Sequence, residues 1–217
     1  MKEWHVRSVF NIWCKLKKVA LIVLIVLILD QTLKFWIKLN MFIGQEYNIF
    51  GHWFIIHFTE NEGMAFGMKL GGDWGKLALS LLRIVAVGLI GYYLYTLTRR
   101  KVKQGVIIGI SLIFAGALGN ILDSAFYGLI FSESTYYQMA TLFPDGGGYT
   151  SFLHGKVVDM LYFPIIDMTL PNWTPIWGGE NFQFFRPVFN LADSAITCGV
   201  LWLLLFHRNF FSDNKQN

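Results

Sequence analysis

Four long apolar stretches set the strongest limit on how this chain can fold. They run over residues 19–39, 76–98, 104–127 and 188–207. Each is long enough to cross the hydrocarbon layer of a bilayer as a helix, which takes about 20 residues. Composition agrees, because only 15% of the residues are charged, against about 25% in soluble domains. The sequence therefore predicts an all-α integral membrane protein with four transmembrane helices.

The basic residues indicate how these helices are oriented. Lysine and arginine concentrate in residues 1–18, in the turn 99–103 and in the C-terminal tail, whereas the long connections 40–75 and 128–187 are mainly acidic. Because basic loops stay in the cytoplasm, we expect both termini inside, both long loops outside, and a single membrane-embedded domain over residues 1–217. The same anchors account for the net charge of +4, so this charge indicates no nucleic-acid partner.

The two outer loops have different patterns. Residues 52–58 of the first are aromatic and branched, which predicts a small sheet or hairpin lying on the bilayer. Asn61 and Gly63 follow this run and suit a plain turn as well as a ligand contact. The second loop, 128–187, is rich in aromatic residues that favour the lipid headgroup level. These rings either anchor the loop or serve the site.

Five charged residues lie in apolar surroundings, where a membrane protein has few. Asp30 and Lys34 fall in the first stretch, Asp123 in the third, Asp193 in the fourth, and Asp159 in an apolar run of the second outer loop. Such charges are costly in a bilayer and mark a functional site by default. With the helical rise of about 1.5 Å per residue, all five converge near the outer leaflet boundary. They are our candidate site residues.

Several of these residues also have a structural explanation. Asp30 and Lys34 are four apart in the order that favours an ion pair on one helix. Asn120 and Asp123 share a helix face behind small residues, so they could act as polar contacts between helices. Arg83, in the second stretch, could pair with an acid or bind a lipid phosphate. The sequence leaves these alternatives open.

Asp159 and Asp193 are harder to explain structurally, because each is an acid in an apolar setting with no basic neighbour in sequence. Two carboxylates brought together in a low-dielectric site cannot both ionise, so they hold one proton between them. The ionised group can then act as a general base on water and the protonated group as a general acid. The pair predicts acyl hydrolysis by an aspartyl dyad.

Five motifs, met in order, resemble those of the lipoprotein signal peptidase (signal peptidase II) family. They are D-x-x-x-K from Asp30 to Lys34, N-x-G-x-A-F from Asn61 to Phe66, G-N-x-x-D from Gly119 to Asp123, V-V-D from Val157 to Asp159, and F-N-x-A-D from Phe189 to Asp193. Each motif alone is weak, but five in the family's order over most of the chain make a specific resemblance.

The resemblance implies an aspartyl membrane protease that removes the signal peptide of a prolipoprotein just before a cysteine carrying diacylglyceryl. Its dyad would be Asp159 and Asp193. It also implies a multi-pass protein of the bacterial inner membrane, four transmembrane helices with an extracytoplasmic β-cradle, no metal or cofactor, and inhibition by the cyclic peptide globomycin. We expect these residues to bind substrate or support the dyad: Asn61, Gly63, Asn120, Asp123, Asn190, Arg186, Asp30 and Lys34.

The chain departs from the family pattern in two ways. The third motif of the family usually ends in Asp-Arg, whereas here Ser124 follows Asp123. We expect Arg186, four residues before Asn190, to supply the missing guanidinium. The connections on either side of the fourth motif carry long aromatic insertions, which suit a lid or a partner surface.

Two other classes of protein stay open from the residues themselves. A proton- or ion-coupled transporter also carries buried acids, although its sites tend to lie near the midplane between internal repeats, and no repeat is visible here. A structural subunit with ion-paired helices would need the acids for stability and not for turnover.

Overall fold

The computed structural model describes residues 2–63, 72–173, 178–184 and 187–210. Long helices alternate in it with short antiparallel strands. The helices are α1 (Lys2–Asn40), α2 (Gly72–Arg99), α3 (Gln104–Leu122), α4 (Gly128–Ile130) and α5 (Leu191–Phe206), and the π-helical turn Asp123–Tyr127 joins α3 to α4. The strands are β1 (Glu46–Phe50), β2 (Phe54–Asn61), β3 (Val157–Tyr162), β4 (Ile166–Thr169), β5 (Asn181–Phe184) and β6 (Val188–Phe189).

Two helical segments are long and apolar enough to cross a membrane, Trp74–Arg99 with 26 residues and Gln104–Ile130 with 27. The helix α5 is apolar but shorter. Large apolar side chains are exposed along α1, α2 and α5, among them Leu24, Ile28, Leu82, Leu89 and Leu205. Uncovered apolar faces of this kind are typical of helices that contact lipid. The fold is therefore that of a helical membrane protein with a small sheet.

The central helix is α3, which contacts α1, α2 and α5. Its small residues let α5 approach closely, since a Cβ atom at Gly116 would overlap the carbonyl oxygen of Ala192. This close approach brings the last turn of α3 against the first turn of α5, where the Asn120 amide donates a hydrogen bond to Asp193.

The sheet expected in the first outer loop is present, and it also takes strands from the second loop. Its order is β1-β2-β3-β6, with all neighbours antiparallel. The register sets Thr59 opposite Asp159 and Leu161 opposite Phe189. A separate antiparallel pair is formed by β4 and β5. The four-stranded sheet therefore carries one candidate acid, Asp159, on β3. Its last strand, β6, ends one residue before the N-cap of α5.

The main core lies between this sheet and the adjacent end of α1. Phe35 packs edge-on against Tyr127 and Phe131, which fixes the π-helical turn and α4 against α1. The core contains these fully buried apolar side chains: Ile37, Met41, Phe58, Phe131, Val158 and Met160.

The first insertion of the second outer loop folds back onto this core. Backbone hydrogen bonds join Ser132 to Thr141, and Tyr149 to Phe131. Beneath them the buried Lys38 ammonium forms an ion pair with Glu60 and donates to Ser134 Oγ at 2.9 Å. This part of the insertion is thus fastened to α1 and β2.

Several helix boundaries differ from those predicted, and the largest difference is at α1, which begins at Lys2 and not at residue 19. We expected the last helix to begin at residue 188, but Val188–Phe189 pair with β3 and α5 begins at Leu191. The helix begins there because Asn190 is its N-cap: the Asn190 side chain accepts the backbone N–H of Asp193 at 2.9 Å. The third helical stretch was expected to end at residue 127, whereas helical structure continues through α4 to Ile130.

Candidate active site

Asn190 joins the two acids that the sequence singled out as a pair. Its side-chain amide donates to Asp159 Oδ1 at 2.8 Å, while its backbone N–H donates to Asp193 Oδ2 at 3.3 Å. Asp159 comes from β3 and is 4% exposed, whereas Asp193 lies in the first turn of α5 and is half-buried. The turn from β6 into α5 therefore holds both carboxylates at one place.

Asn120 supports the same pair from α3. Its amide nitrogen donates to Asp193 Oδ1 at 2.8 Å, and its carbonyl oxygen accepts from the Asn190 amide at 3.1 Å. That oxygen also accepts from Lys34 Nζ at 3.0 Å. Because each amide is engaged at both ends, the side chains of Asn120 and Asn190 have little freedom to turn away from the acids.

Asn61 holds the other oxygen of Asp159. Its amide nitrogen donates to Asp159 Oδ2 at 3.3 Å, and its carbonyl oxygen accepts the backbone N–H of Gly63 at 2.7 Å. Gly63 has a φ of +100°, a conformation that L side chains rarely adopt. The turn that ends β2 thus aims an amide at Asp159.

The remaining candidate acids form a separate cluster around Lys34. Its ammonium lies 2.9 Å from Asp30 Oδ2 and 2.7 Å from Asp123 Oδ2, and all three side chains are fully buried. Asp30 Oδ1 accepts the backbone N–H of Ala192 at 2.9 Å, and Asp123 Oδ2 accepts that of Val158 at 3.4 Å. The cluster therefore joins α1 and the end of α3 to the two segments that carry Asp159 and Asp193.

Burial decides the protonation of Asp159. The loss of solvent, followed by the nearby charge of Asp193, raises the pKa of Asp159 to about 7, although hydrogen bonds from Asn61 and Asn190 and the charge of Lys34 act in the opposite direction. An acid with this pKa is partly protonated near neutral pH. The pair can therefore offer one proton and one negative charge at the same time.

Two further residues contact the site and were not among the predicted site residues. Gln31 donates to Asp123 Oδ1 at 2.8 Å, and its carbonyl oxygen accepts from the Tyr127 hydroxyl at 3.1 Å. Arg83 hydrogen-bonds the carbonyl oxygen of Gly63. Arg83 could have been found as a charge in an apolar stretch, whereas nothing in the sequence distinguished Gln31. The expected contribution of Arg186 falls outside the described residues.

In the described ranges, no group of three or more histidine, cysteine, aspartate or glutamate side chains is placed to hold a metal ion. The groups that bind Asp159 and Asp193 directly are asparagine amides. The geometry is that of a membrane protein with a buried, amide-bound carboxylate pair, which suits acid–base hydrolysis.

Comparison with known proteins gives the family. The family described as signal peptidase (SPase) II matches residues 22–209. A lipoprotein signal peptidase of Porphyromonas gingivalis is 51% identical over 190 residues, which are 87% of this chain and 82% of that protein. One of Amoebophilus asiaticus is 37% identical over 86% of this chain and 76% of its own length. The chain belongs to the signal peptidase II family.

Solved structures agree with the fold. Two described as bacterial membrane enzymes superpose on this chain with TM-scores of 0.56 and 0.55. The first is 25% identical and covers 88% of this chain and 94% of its own, and the second is 23% identical and covers 93% of each chain. The protein is thus a bacterial membrane peptidase, as the five motifs predicted, and the transporter and structural-subunit alternatives are not supported.

Proposed function

We propose that this member of the signal peptidase II family cuts its substrates with Asp159 and Asp193 as an aspartyl dyad. The observation that carries the proposal is the position of Asn190, whose side chain binds Asp159 and whose backbone binds Asp193. This arrangement makes the two acids one unit. A carboxylate pair with a shared proton has the two functions that hydrolysis of a peptide bond needs.

The raised pKa of Asp159 supports a position for the shared proton. With a pKa of about 7, Asp159 holds the proton of the resting pair in our proposal. Asp193 removes a proton from water as the water oxygen attacks the scissile carbonyl carbon, and Asp159 gives its proton to the carbonyl oxygen. The tetrahedral intermediate then breaks its C–N bond: one of its hydroxyl protons returns to Asp159, and the proton on Asp193 goes to the leaving amine.

The asparagines keep this geometry fixed while protons move. Asn61 and Asn190 bind the two oxygens of Asp159, and Asn120 binds Asp193. An amide donor stabilises an ionised carboxylate without carrying a charge of its own. The asparagines therefore hold both carboxyl groups in place without adding a charge beside either one. The two acids can then exchange the roles of acid and base between the two halves of the reaction.

The membrane positions the substrate. We propose that α1 and α5 cross the bilayer together with α2 and α3, with the basic turn after α2 in the cytoplasm and the sheet at the outer surface. The diacylglyceryl chains of a prolipoprotein would then rest in the outer leaflet and bring the bond before the modified cysteine to the dyad. Such anchoring converts the search into a local, oriented encounter. A cyclic peptide of the globomycin type would occupy the same place.

Cleavage of a diacylglyceryl-modified prolipoprotein by purified protein tests the proposal, with the product followed by gel shift. We expect wild type to cut the lipidated substrate, to cut its unlipidated form at least tenfold more slowly, and to be inhibited by globomycin. Asp159→Asn and Asp193→Asn should be folded and inert. Near wild-type turnover of a folded variant would remove that acid from the dyad.

A further inference from the structure

Arg83 is a charged side chain in a helix whose neighbours face outward and are apolar. Leu82 is 66% exposed and Leu89 is 64% exposed, whereas Arg83 is half-buried. Its guanidinium turns toward the candidate active site and hydrogen-bonds the carbonyl oxygen of Gly63. A cation kept in an apolar helix at a cost in free energy needs a function.

The contact with Gly63 connects Arg83 to the dyad through a short relay. The N–H of Gly63 binds Asn61, and the amide of Asn61 binds Asp159. The approach is close enough that a Cβ atom at Gly63 would lie 2.7 Å from Arg83 Nη1. Glycine at this position therefore lets the guanidinium lie against the turn. The same turn directs the Asn61 side chain toward Asp159.

The guanidinium charge also acts on the pair directly. Arg83 interacts electrostatically with Asp193, Asp159 and Asp123 in decreasing order. In the described part of the chain, the charged groups around the dyad include Lys34 and Asp30 on α1, Arg83 on α2, and Asp123 in the π-helical turn. Lys34 is already bound by the carboxylates of Asp30 and Asp123, so its charge is engaged outside the dyad. Arg83 is positioned to offset the charge of the dyad.

The position where the family motif usually has arginine offers no such charge. Ser124 is buried, and its hydroxyl donates to the backbone oxygen of Asn120 at 3.1 Å. That side chain closes onto its own helix. Among the described residues, Arg83 brings a guanidinium toward the site from α2, a helix that the motif does not include.

We propose that Arg83 is a positioning residue of the dyad, which holds the Asn61–Gly63 turn against Asp159 and stabilises the single negative charge of the pair. The inference rests on the proposed dyad. Without the cation the ionised pair is less stable, so the pKa for its formation rises. The acid limb of the kcat/KM profile should then move to higher pH, which loss of a purely structural contact would not cause.

The pH dependence of kcat/KM separates these possibilities. We expect Arg83→Gln to lower kcat/KM at pH 7 by about tenfold and to move the acid limb up by about one unit, which is the effect of a nearby charge. Arg83→Lys, which keeps the charge, should leave the limb within about 0.3 units of wild type. Arg99→Gln, at the distant end of the same helix, should behave as wild type.

Each outcome decides one question. A folded Arg83→Gln variant with a wild-type acid limb overturns the proposal, and so does an equal loss in Arg99→Gln. If Arg83→Gln does not fold, a wild-type rate and limb in Gly63→Ala, which displaces the guanidinium, overturns it instead. Asp159→Asn in the same assay keeps the two proposals apart. Activity in that variant refutes the dyad, whereas an inert Asp159→Asn beside an unchanged Arg83→Gln refutes only the role of Arg83.

Discussion

The described part of the molecule contains two pairs of aspartates, and the pairs differ in the groups that bind them. Asp30 and Asp123 share the ammonium of Lys34. Asp159 and Asp193 are held by the side-chain amides of Asn61, Asn120 and Asn190. A nearby cation favours the ionised form of a carboxylate, whereas neutral amides add no charge beside a carboxyl group.

This difference indicates a structural role for Asp30 and Asp123 and a chemical role for Asp159 and Asp193. Lys34 forms ion pairs with both acids, and their carboxylates accept the backbone N–H groups of Ala192 and Val158. Each of these backbone groups is next to a dyad residue in sequence. The first pair therefore positions the second through the main chain, while the second remains free to exchange protons.

The largest effect on this comparison is expected from removing the shared cation. Lys34→Met leaves two buried carboxylates without their counter-ion, and breaking a buried ion pair in this way costs about 3–5 kcal/mol of stability. Thermal unfolding in detergent measures the loss, with Lys101→Met, at an exposed position, as the matched control. Equal unfolding temperatures for the two variants would show that the cluster does not hold the fold.

A smaller, two-part effect is expected at Asn190. Asn190→Ala loses the N-cap of α5, worth about 1–2 kcal/mol of stability, and also the amide that binds Asp159. Asn190→Ser keeps a capping oxygen but has no amide, so it should regain most of the stability and little of the activity. Unfolding temperature and kcat/KM, measured on the same samples, separate the two functions. Recovery of activity in the serine variant would assign Asn190 to capping alone.

The two pairs should also differ in how stability depends on pH. The pKa of Asp159 is raised in the folded protein, to about 7, so the folded state binds this proton more tightly than the unfolded state. Its contribution to stability is present below the unfolded pKa of about 4 and is lost as pH rises through about 7. Between pH 5 and 8 the unfolding temperature of Asp159→Asn should therefore fall less than that of wild type. Parallel curves would contradict the raised pKa.

The smallest effect is expected at the edge of the Lys34 cluster. Tyr127→Phe removes the hydroxyl that donates to Gln31 and keeps the ring contacts with Phe35 and Phe131. The expected cost is about 0.5–1.5 kcal/mol of stability, with kcat/KM nearly unchanged. Phe35→Leu, which alters packing in the same place, serves as the comparison. A tenfold loss of activity in Tyr127→Phe would place this hydroxyl closer to the chemistry than the structure does.

Sequence predicted the elements better than the connections between them. Long apolar stretches predicted where the helices lie, and the run at residues 52–58 predicted a hairpin in the first loop. The attachment of β3 to β2, which sets Asp159 opposite Thr59, joins residues 100 positions apart and has no local signal. The start of α5 was missed because Val188–Phe189 is as apolar as a helix and its pairing partner is distant.

The candidate site shows the same division. Motif order identified Asp159 and Asp193 together with the three asparagines. Which amide binds which acid depends on tertiary contacts, and so does the separation of Lys34 from the dyad. Arg83 was visible as a charge in an apolar stretch, but its partner, Gly63, lies in a turn 20 residues away whose approach to α2 only the fold supplies.

The most direct test of the central claim measures turnover and unfolding temperature together for Asp193→Asn in one detergent preparation. Replacing one acid of the dyad by a neutral amide removes the need to keep the single negative charge of the pair in surroundings of low polarity. Our account predicts an unfolding temperature equal to or above that of wild type, with cleavage of the lipidated substrate reduced at least about a thousandfold. A lower unfolding temperature combined with substantial remaining turnover would contradict it and assign this acid to structural support.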